Sequence, residues 1–195
     1  MAAGLKLVAG LGNPGARYSV TRHNAGFWFL EQLADQSRLS FSGAPRFSSE
    51  MARFSQGDID CWLAMPQTFM NDSGRAIRAI SDYYRIPPEQ MLIVHDDIDL
   101  EPGVVRLKQG GGHGGHNGLR DIISQLGSNG FLRLRIGVGH PGQRDQVIDS
   151  VLSRPGREEQ ELIDAAIGRA LQVMPQVFAG EIARAMHKLH TKEGD

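Results

Sequence analysis

Four short apolar runs punctuate the chain: Leu5–Gly10, Cys61–Met65, Met91–Val94 and Leu134–Val138. Each is continuous rather than alternating, which is how a strand buried on both faces reads. Between them, apolar residues recur at helical spacing. Phe27, Leu30 and Ala34 mark one helix face; Ile77, Ile80 and Tyr84 mark a second; Leu119, Ile122, Ile123 and Leu126 mark a third. Leu162, Ile163, Ala166, Ile167 and Ala170 predict a longer helix over Glu158–Met174, after Pro155 as a helix-start residue. Strands alternating with helices imply an α/β fold: a single-domain mixed, largely parallel twisted sheet flanked by helices, expected over residues 1–195. The small, Ser-rich stretch Ser37–Ser49 predicts a plain connection.

The strand ends are more informative than the strands. The first strand runs into Gly12-Asn13-Pro14-Gly15, the second into Pro66-Gln67-Thr68-Phe69-Met70-Asn71, and the third into His95-Asp96-Asp97-Ile98-Asp99. In open α/β sheets, sites form outside the carboxyl ends of strands. Three strands delivering polar clusters there favour an enzyme.

Composition narrows the class. At 195 residues, 41% hydrophobic and 22% charged, the chain is an ordinary globular protein. No apolar run approaches the roughly 18 residues of a membrane helix. A lone cysteine, Cys61, rules out an internal disulfide framework or a thiolate metal cage and fits a reducing cytoplasm. A net charge of -1 argues against a general nucleic-acid coat. The average conceals segregation, however. Pro87–Pro102 carries five acids and no base, while Gly103–Arg144 carries six Lys/Arg and one acid. A local basic patch of that kind can attract phosphate when the whole molecule does not.

Two glycine-rich loops invite a nucleotide reading. Gly10-Leu-Gly12-Asn-Pro-Gly15 has the spacing of a dinucleotide fingerprint, but Asn-Pro-Gly is turn chemistry and the nearest acid, Glu31, falls inside a helical pattern. It reads as a tight turn. Gly110–Gly118 packs six glycines into nine residues around His113, His116 and Asn117, and leads into a helix. It suits close approach by an anion at a helix N-terminus, or else a mobile loop with Asn117 as N-cap. Lys108, Arg120, Arg133 and Arg135 nearby add weight to phosphate.

Among seven histidines, His187 and His190 read as solvated helix residues, and His95 and His140 as structural groups at strand ends. His23, in Thr21-Arg22-His23-Asn24 after the first glycine turn, reads either as a cap or core residue or as a base. Asp96, Asp97 and Asp99 are candidate partners, since a carboxylate on one imidazole nitrogen raises the basicity of the other. His113 and His116 with Asp96 or Asp97 form a rival metal set, although no HExxH or dense ligand cluster is present. No G-x-S-x-G elbow exists, and Cys61 lies in a strand run. The residues permit a histidine–aspartate base acting on water.

Taken together, the motifs resemble bacterial-type peptidyl-tRNA hydrolase. The stretches that carry the likeness are Gly10–Gly15 with Tyr18 and Thr21–Asn24, Thr68–Gly74, His95–Leu100, Gly110–Gly118 and Arg133–Gly142, in family order over essentially the whole chain. The resemblance implies hydrolysis of the ester joining a nascent peptide to the 3′ end of tRNA, recycling stalled tRNA. It implies His23 as general base, Asp96 as its partner, and Asn13 as the residue separating blocked from unblocked aminoacyl-tRNA. Asn71 and Asn117 match positions holding the peptide and the 3′ end, and Tyr18 and Phe69 match positions lining the same site. Without the family match, either asparagine reads as a helix N-cap. Lys108 and Arg135 match a clamp for the tRNA 5′ phosphate region, with Gly127–Phe131 shorter than in some relatives. The expectation is therefore a cytoplasmic monomer acting on peptidyl-tRNA, with no cofactor or metal, no membrane and no DNA. The alternative is a non-catalytic RNA- or nucleotide-binding module using the same basic loop.

Overall fold

The structure, a computed structural model, describes residues 4–191; the remaining ends of the expected 1–195 domain lie outside it. The four apolar runs become β1 (Leu7–Gly10), β4 (Ile59–Pro66), β5 (Met91–Asp97) and β7 (Leu132–Gly137). These four form the parallel heart of a seven-stranded sheet, in which β1 pairs with both β4 and β5, and β5 pairs with β7.

Three further strands were not legible as apolar runs: β2 (Ser42–Ala44), β3 (Ser49–Gln56) and β6 (Val105–Gln109). All three are antiparallel and extend the edges, giving the order β2-β3-β4-β1-β5-β7-β6. An edge strand wets one face, so its apolar positions alternate or vanish. The Ser37–Ser49 stretch is thus more than a connection, since it contains β2 and a 3-10 turn at Pro45–Phe47.

Helices α1 (Ala25–Gln36), α5 (Arg157–Phe178) and α6 (Ile182–His190) cover one sheet face, burying Val8, Leu63, Leu92, Val94 and Leu134. Helices α2 (Ser73–Tyr84) and α3 (Asn117–Leu126) cover the other, against Leu7, Ala9, Met91 and Ile93. A short α4 (Val147–Val151) lies between β7 and α5. His190 is not simply solvated, because its Nε2 accepts the Leu107 backbone N–H at 3.0 Å and so pins edge strand β6 to α6. Among the described residues, no helix is long and apolar enough to cross a membrane.

Strand β1 has neighbours whose connections leave it in opposite directions, so the crevice of a doubly wound sheet opens at the carboxyl ends of β1, β4 and β5. Gly26 in the first turn of α1 makes the approach close. A Cβ there would overlap the Val94 carbonyl oxygen and the Leu11 backbone, and one on Gly10 would overlap the Gly26 carbonyl. Helix α1 therefore starts in direct backbone contact with the ends of β1 and β5, and the residues just before it are delivered to the β5 terminus.

Candidate active site

Those residues form a 3-10 turn, Arg22–Asn24. His23 within it is 9% exposed, and Asp96 at the end of β5 is 2% exposed. The His23 Nδ1 lies 2.9 Å from both oxygens of Asp96. Of the three candidate aspartates, Asp96 alone meets His23. Asp97 accepts from the Arg135 Nε at 2.7 Å and, through its other oxygen, from the Asp99 backbone N–H at 2.9 Å.

A second imidazole, which the sequence suggests only as a metal candidate, completes the arrangement. The His116 Nε2 lies 2.8 Å from Asp96 Oδ1, and its Nδ1 accepts the Leu119 N–H at 3.3 Å as the N-cap of α3. An Nδ1 that accepts leaves Nε2 as the nitrogen that donates to the carboxylate. Its position immediately before a helix, with a donor three residues on, was the available signal. The His116 ring packs against His23 at 5.0 Å and edge-on against His95 at 5.1 Å.

The electrostatics result from this packing. Burial would lower the His23 pKa, but the Asp96 charge and hydrogen bond outweigh it, and the group sits above its ordinary value. Burial would raise Asp96, yet the two imidazoles hold it well below the usual carboxylate range. His95 is driven down to about 3 by burial and by His116, so it is neutral. Its Nδ1 lies 2.7 Å from the Asp96 carbonyl, to which it donates, and its Nε2 is buried without a partner among the described residues.

Among the described residues, His23, Asp96 and His116 are the one set of three His/Cys/Asp/Glu side chains whose ligand atoms converge, all within 4.8 Å. The imidazole nitrogens that face the carboxylate are hydrogen-bonded to it. His113 stands apart, its Nδ1 accepting the Gly115 N–H at 3.0 Å.

This cluster lies at the floor of a cleft of about 910 Å³ that brings together every residue singled out from sequence: Asn13, Tyr18, His23, Phe69, Asn71, Asp96, Lys108, Asn117 and Arg135. Asn13 is buried and held from two sides. Asn24 bonds both its backbone N–H (2.9 Å) and its carbonyl (3.0 Å), while its side-chain Oδ1 accepts the Met70 N–H at 2.7 Å. Asn24 is thus a positioning residue that motif reading left without a role. Neither Asn71 nor Asn117 caps a helix: α2 begins one residue later than Asn71 requires, its Gly74 N–H taken by Asp121 at 2.7 Å, and α3 is capped by His116. Both amides remain available to the cleft. Tyr18 meets Phe69 edge-on at 6.4 Å, and Phe69 is 62% exposed on the rim.

The basic wall comes from β6 and β7, where Lys108 sits opposite Arg133. Arg133 is buried and ties down the glycine loop through the carbonyls of Gly111 and Gly112. Gly111 adopts φ +100°, and a Cβ there would collide with the Lys108 ammonium, so only glycine lets that cation lie against the loop. Arg120 and Arg144 add charge to the same cleft.

A family model described as peptidyl-tRNA hydrolase matches residues 7–195. The chain is 54% identical over 189 residues to the peptidyl-tRNA hydrolase of Nitrosomonas europaea, covering 97% of each. It is 48% identical over 188 residues to that of Neisseria meningitidis, covering 96% of this chain and 98% of the other. A crystal structure of peptidyl-tRNA hydrolase from Acinetobacter baumannii superposes with a TM-score of 0.92 at 48% identity, covering 95% of this chain and 94% of that one. By sequence along its length and by fold, the chain belongs to the peptidyl-tRNA hydrolase family.

Proposed function

We propose that the chain hydrolyses the ester linking a peptide, or an N-blocked aminoacyl group, to the 3′ end of tRNA, and that His23 is its general base. The observation that carries this is the buried His23–Asp96 pair at 2.9 Å on the cleft floor. With Nδ1–H committed to Asp96, the lone pair of Nε2 takes a proton from water as that water attacks the ester carbonyl. The imidazolium that forms is stabilised by the carboxylate, and no covalent intermediate is needed. The proton then passes to the leaving 3′ oxygen. His116 supplies the second hydrogen bond that keeps Asp96 ionised and oriented.

Asn13 gives a physical basis for selecting a blocked amine. Its Oδ1 is spent on the Met70 N–H, which leaves the Nδ2 amide as a donor. A donor suits the carbonyl of an acylated amine and opposes a free ammonium, which offers only donors of its own. Asn71 and Asn117 would hold peptide and 3′-end groups, with Tyr18 and Phe69 packing against them. Lys108 and Arg135 would meet phosphate in the 5′ region, as a point charge and a planar fork respectively. A single copy of the chain supplies all these groups, which supports a monomer as the working unit.

The test is release of N-acetyl amino acid from N-acetyl-aminoacyl-tRNA by wild type and by His23→Ala. Turnover by wild type and a loss of about 10²–10⁴-fold in the variant are expected. Tight tRNA binding without turnover would instead identify a binding module, and full activity of His23→Ala would remove the base assignment.

A further inference from the structure

Arg22 adjoins the base in sequence, yet its side chain turns away from the His23–Asp96–His116 cluster. Every nitrogen of its guanidinium is engaged. The Nε and Nη2 atoms grip Glu159 at 2.6 and 2.7 Å, while Nη1 donates to the carbonyls of Ser150 (3.0 Å) and Ser153 (3.2 Å) and to the Ser153 hydroxyl (2.5 Å). The Arg22 backbone N–H adds a bond to the Ser153 carbonyl at 3.1 Å. One residue therefore ties together the turn bearing His23, the end of α4 and the first turn of α5. Glu159 reaches back to the Gly156 N–H at 3.4 Å, so the same carboxylate also closes the start of α5.

The tie matters because of what α4 is. At five residues it is far too short to hold itself together. The Ser150 carbonyl at its end accepts from the Ser153 N–H and hydroxyl, and Arg22 adds a further donor and positive charge there. Its other side forms one wall of the cleft through Val147, Ile148, Val151 and Leu152. Ile148 is 65% exposed and Leu152 is 39% exposed, an apolar surface that the Arg22 tether helps hold in place over the site.

We propose that Arg22 is a positioning residue for substrate binding: it clamps the apolar α4 wall to the turn bearing the base, so that binding surface and base act at a fixed separation. The inference rests on the hydrolase reading above. Lysine cannot take over, since an ammonium cannot grip a carboxylate with a planar fork while also capping two carbonyls. Because Arg22 makes no bond to His23, Asp96 or His116, the chemistry itself is untouched.

Two measurements test this. Hydrogen exchange on the free enzyme, with Arg22→Lys, Arg22→Gln and Glu159→Gln, reads the clamp without any substrate. Amides 147–153 are expected to exchange about tenfold faster, while those of β5 and α1 stay as in wild type. Steady-state hydrolysis of N-acetyl-aminoacyl-tRNA then reads its use: KM should rise about five- to tenfold, with kcat and the pH midpoint of kcat held. Faster exchange without turnover in wild type would fail the hydrolase reading and not the clamp. Unchanged exchange over 147–153, an unchanged KM, a fall in kcat alone or a moved pH midpoint would each overturn the proposal. Glu159→Gln removes half the clamp at the partly exposed start of α5, so it decides the matter even where an Arg22 variant fails to fold.

Discussion

His23 and His116 donate to one and the same carboxylate, Asp96, at 2.9 and 2.8 Å, and their rings lie 5.0 Å apart. The two imidazoles differ in freedom. His116 has its second nitrogen occupied by the Leu119 N–H, whereas His23 keeps Nε2 for the cleft. One histidine is therefore a fixed donor, and the other presents the ring nitrogen that the proposed base requires. His116→Ala should lower kcat/KM about 10–100-fold, the worth of one hydrogen bond to a charged group. His116→Gln, which keeps a donor, should lose less. Ester release under steady-state conditions checks both.

Asp96→Asn removes the charge that lifts the His23 pKa. With His23 as the proposed base, hydrolysis needs it neutral, so wild-type activity should rise with pH through a midpoint above the ordinary histidine value. Without Asp96 the midpoint should fall. The plateau rate should fall as well, by about 10²–10⁴-fold, because an amide can hold the wrong tautomer. A pH–rate profile of the two proteins decides it. A midpoint that stayed or rose would show that Asp96 does not set the basicity of His23.

The sequence disclosed the parallel centre of the sheet because β1, β4, β5 and β7 are buried on both faces and read as uninterrupted apolar runs. It hid β2, β3 and β6 because these outer strands interrupt their apolar positions with residues such as Ser, Gln, Arg and Lys. His23 was legible as chemistry with Asp96, Asp97 or Asp99 as its partner, and only family resemblance narrowed the choice to Asp96, since 73 residues separate the two in the chain and the contact depends on Gly26. His116 and Asn24 were missed as working groups for a different reason. Each acts through hydrogen bonds to another site residue, and no local pattern records a partner that lies across the fold.

Asn24→Ala should act on Asn13 from behind. It deletes two buried hydrogen bonds to the Asn13 backbone without touching the cleft surface. Stability should fall by about 1–3 kcal/mol, seen as a lower urea midpoint at constant m. Selectivity for N-acetylated over free aminoacyl-tRNA should narrow at the same time. Asn24→Asp, which keeps the acceptor for the Asn13 N–H, should preserve more of both.

Lys108 and Arg135 should separate on salt. Arg135 is already paired with Asp97 at 2.7 Å, whereas Lys108 enters none of the ion pairs among the described residues. Releasing counterions needs an uncompensated cation, so Lys108→Ala should flatten the slope of log KM against log salt by about 0.7–0.9. Arg135→Ala should flatten it less, because the Asp97 carboxylate already offsets the Arg135 charge before phosphate binds. Equal slopes for the two variants would mean that Asp97 does not offset Arg135 in the complex.

His95 should govern stability in acid. Its folded pKa lies near 3 and its unfolded value near 6.5, so between these limits the unfolded chain binds a proton that the folded protein refuses. Its contribution is complete above pH 6.5 and is lost as pH falls towards 3. Asp96, depressed in the fold, acts with the same sign but only at the lower, carboxylate end of that window. The two can therefore be separated by where the slope begins. His95→Gln keeps a donor for the Asp96 carbonyl and cannot titrate, so its unfolding free energy should be nearly flat from pH 6.5 to 5, where wild type declines. By pH 4 the two unfolding free energies should have diverged by a few kcal/mol. Urea melts at each pH measure it, and parallel curves for the two proteins would show that the buried imidazole is not the group that couples folding to protons in that range.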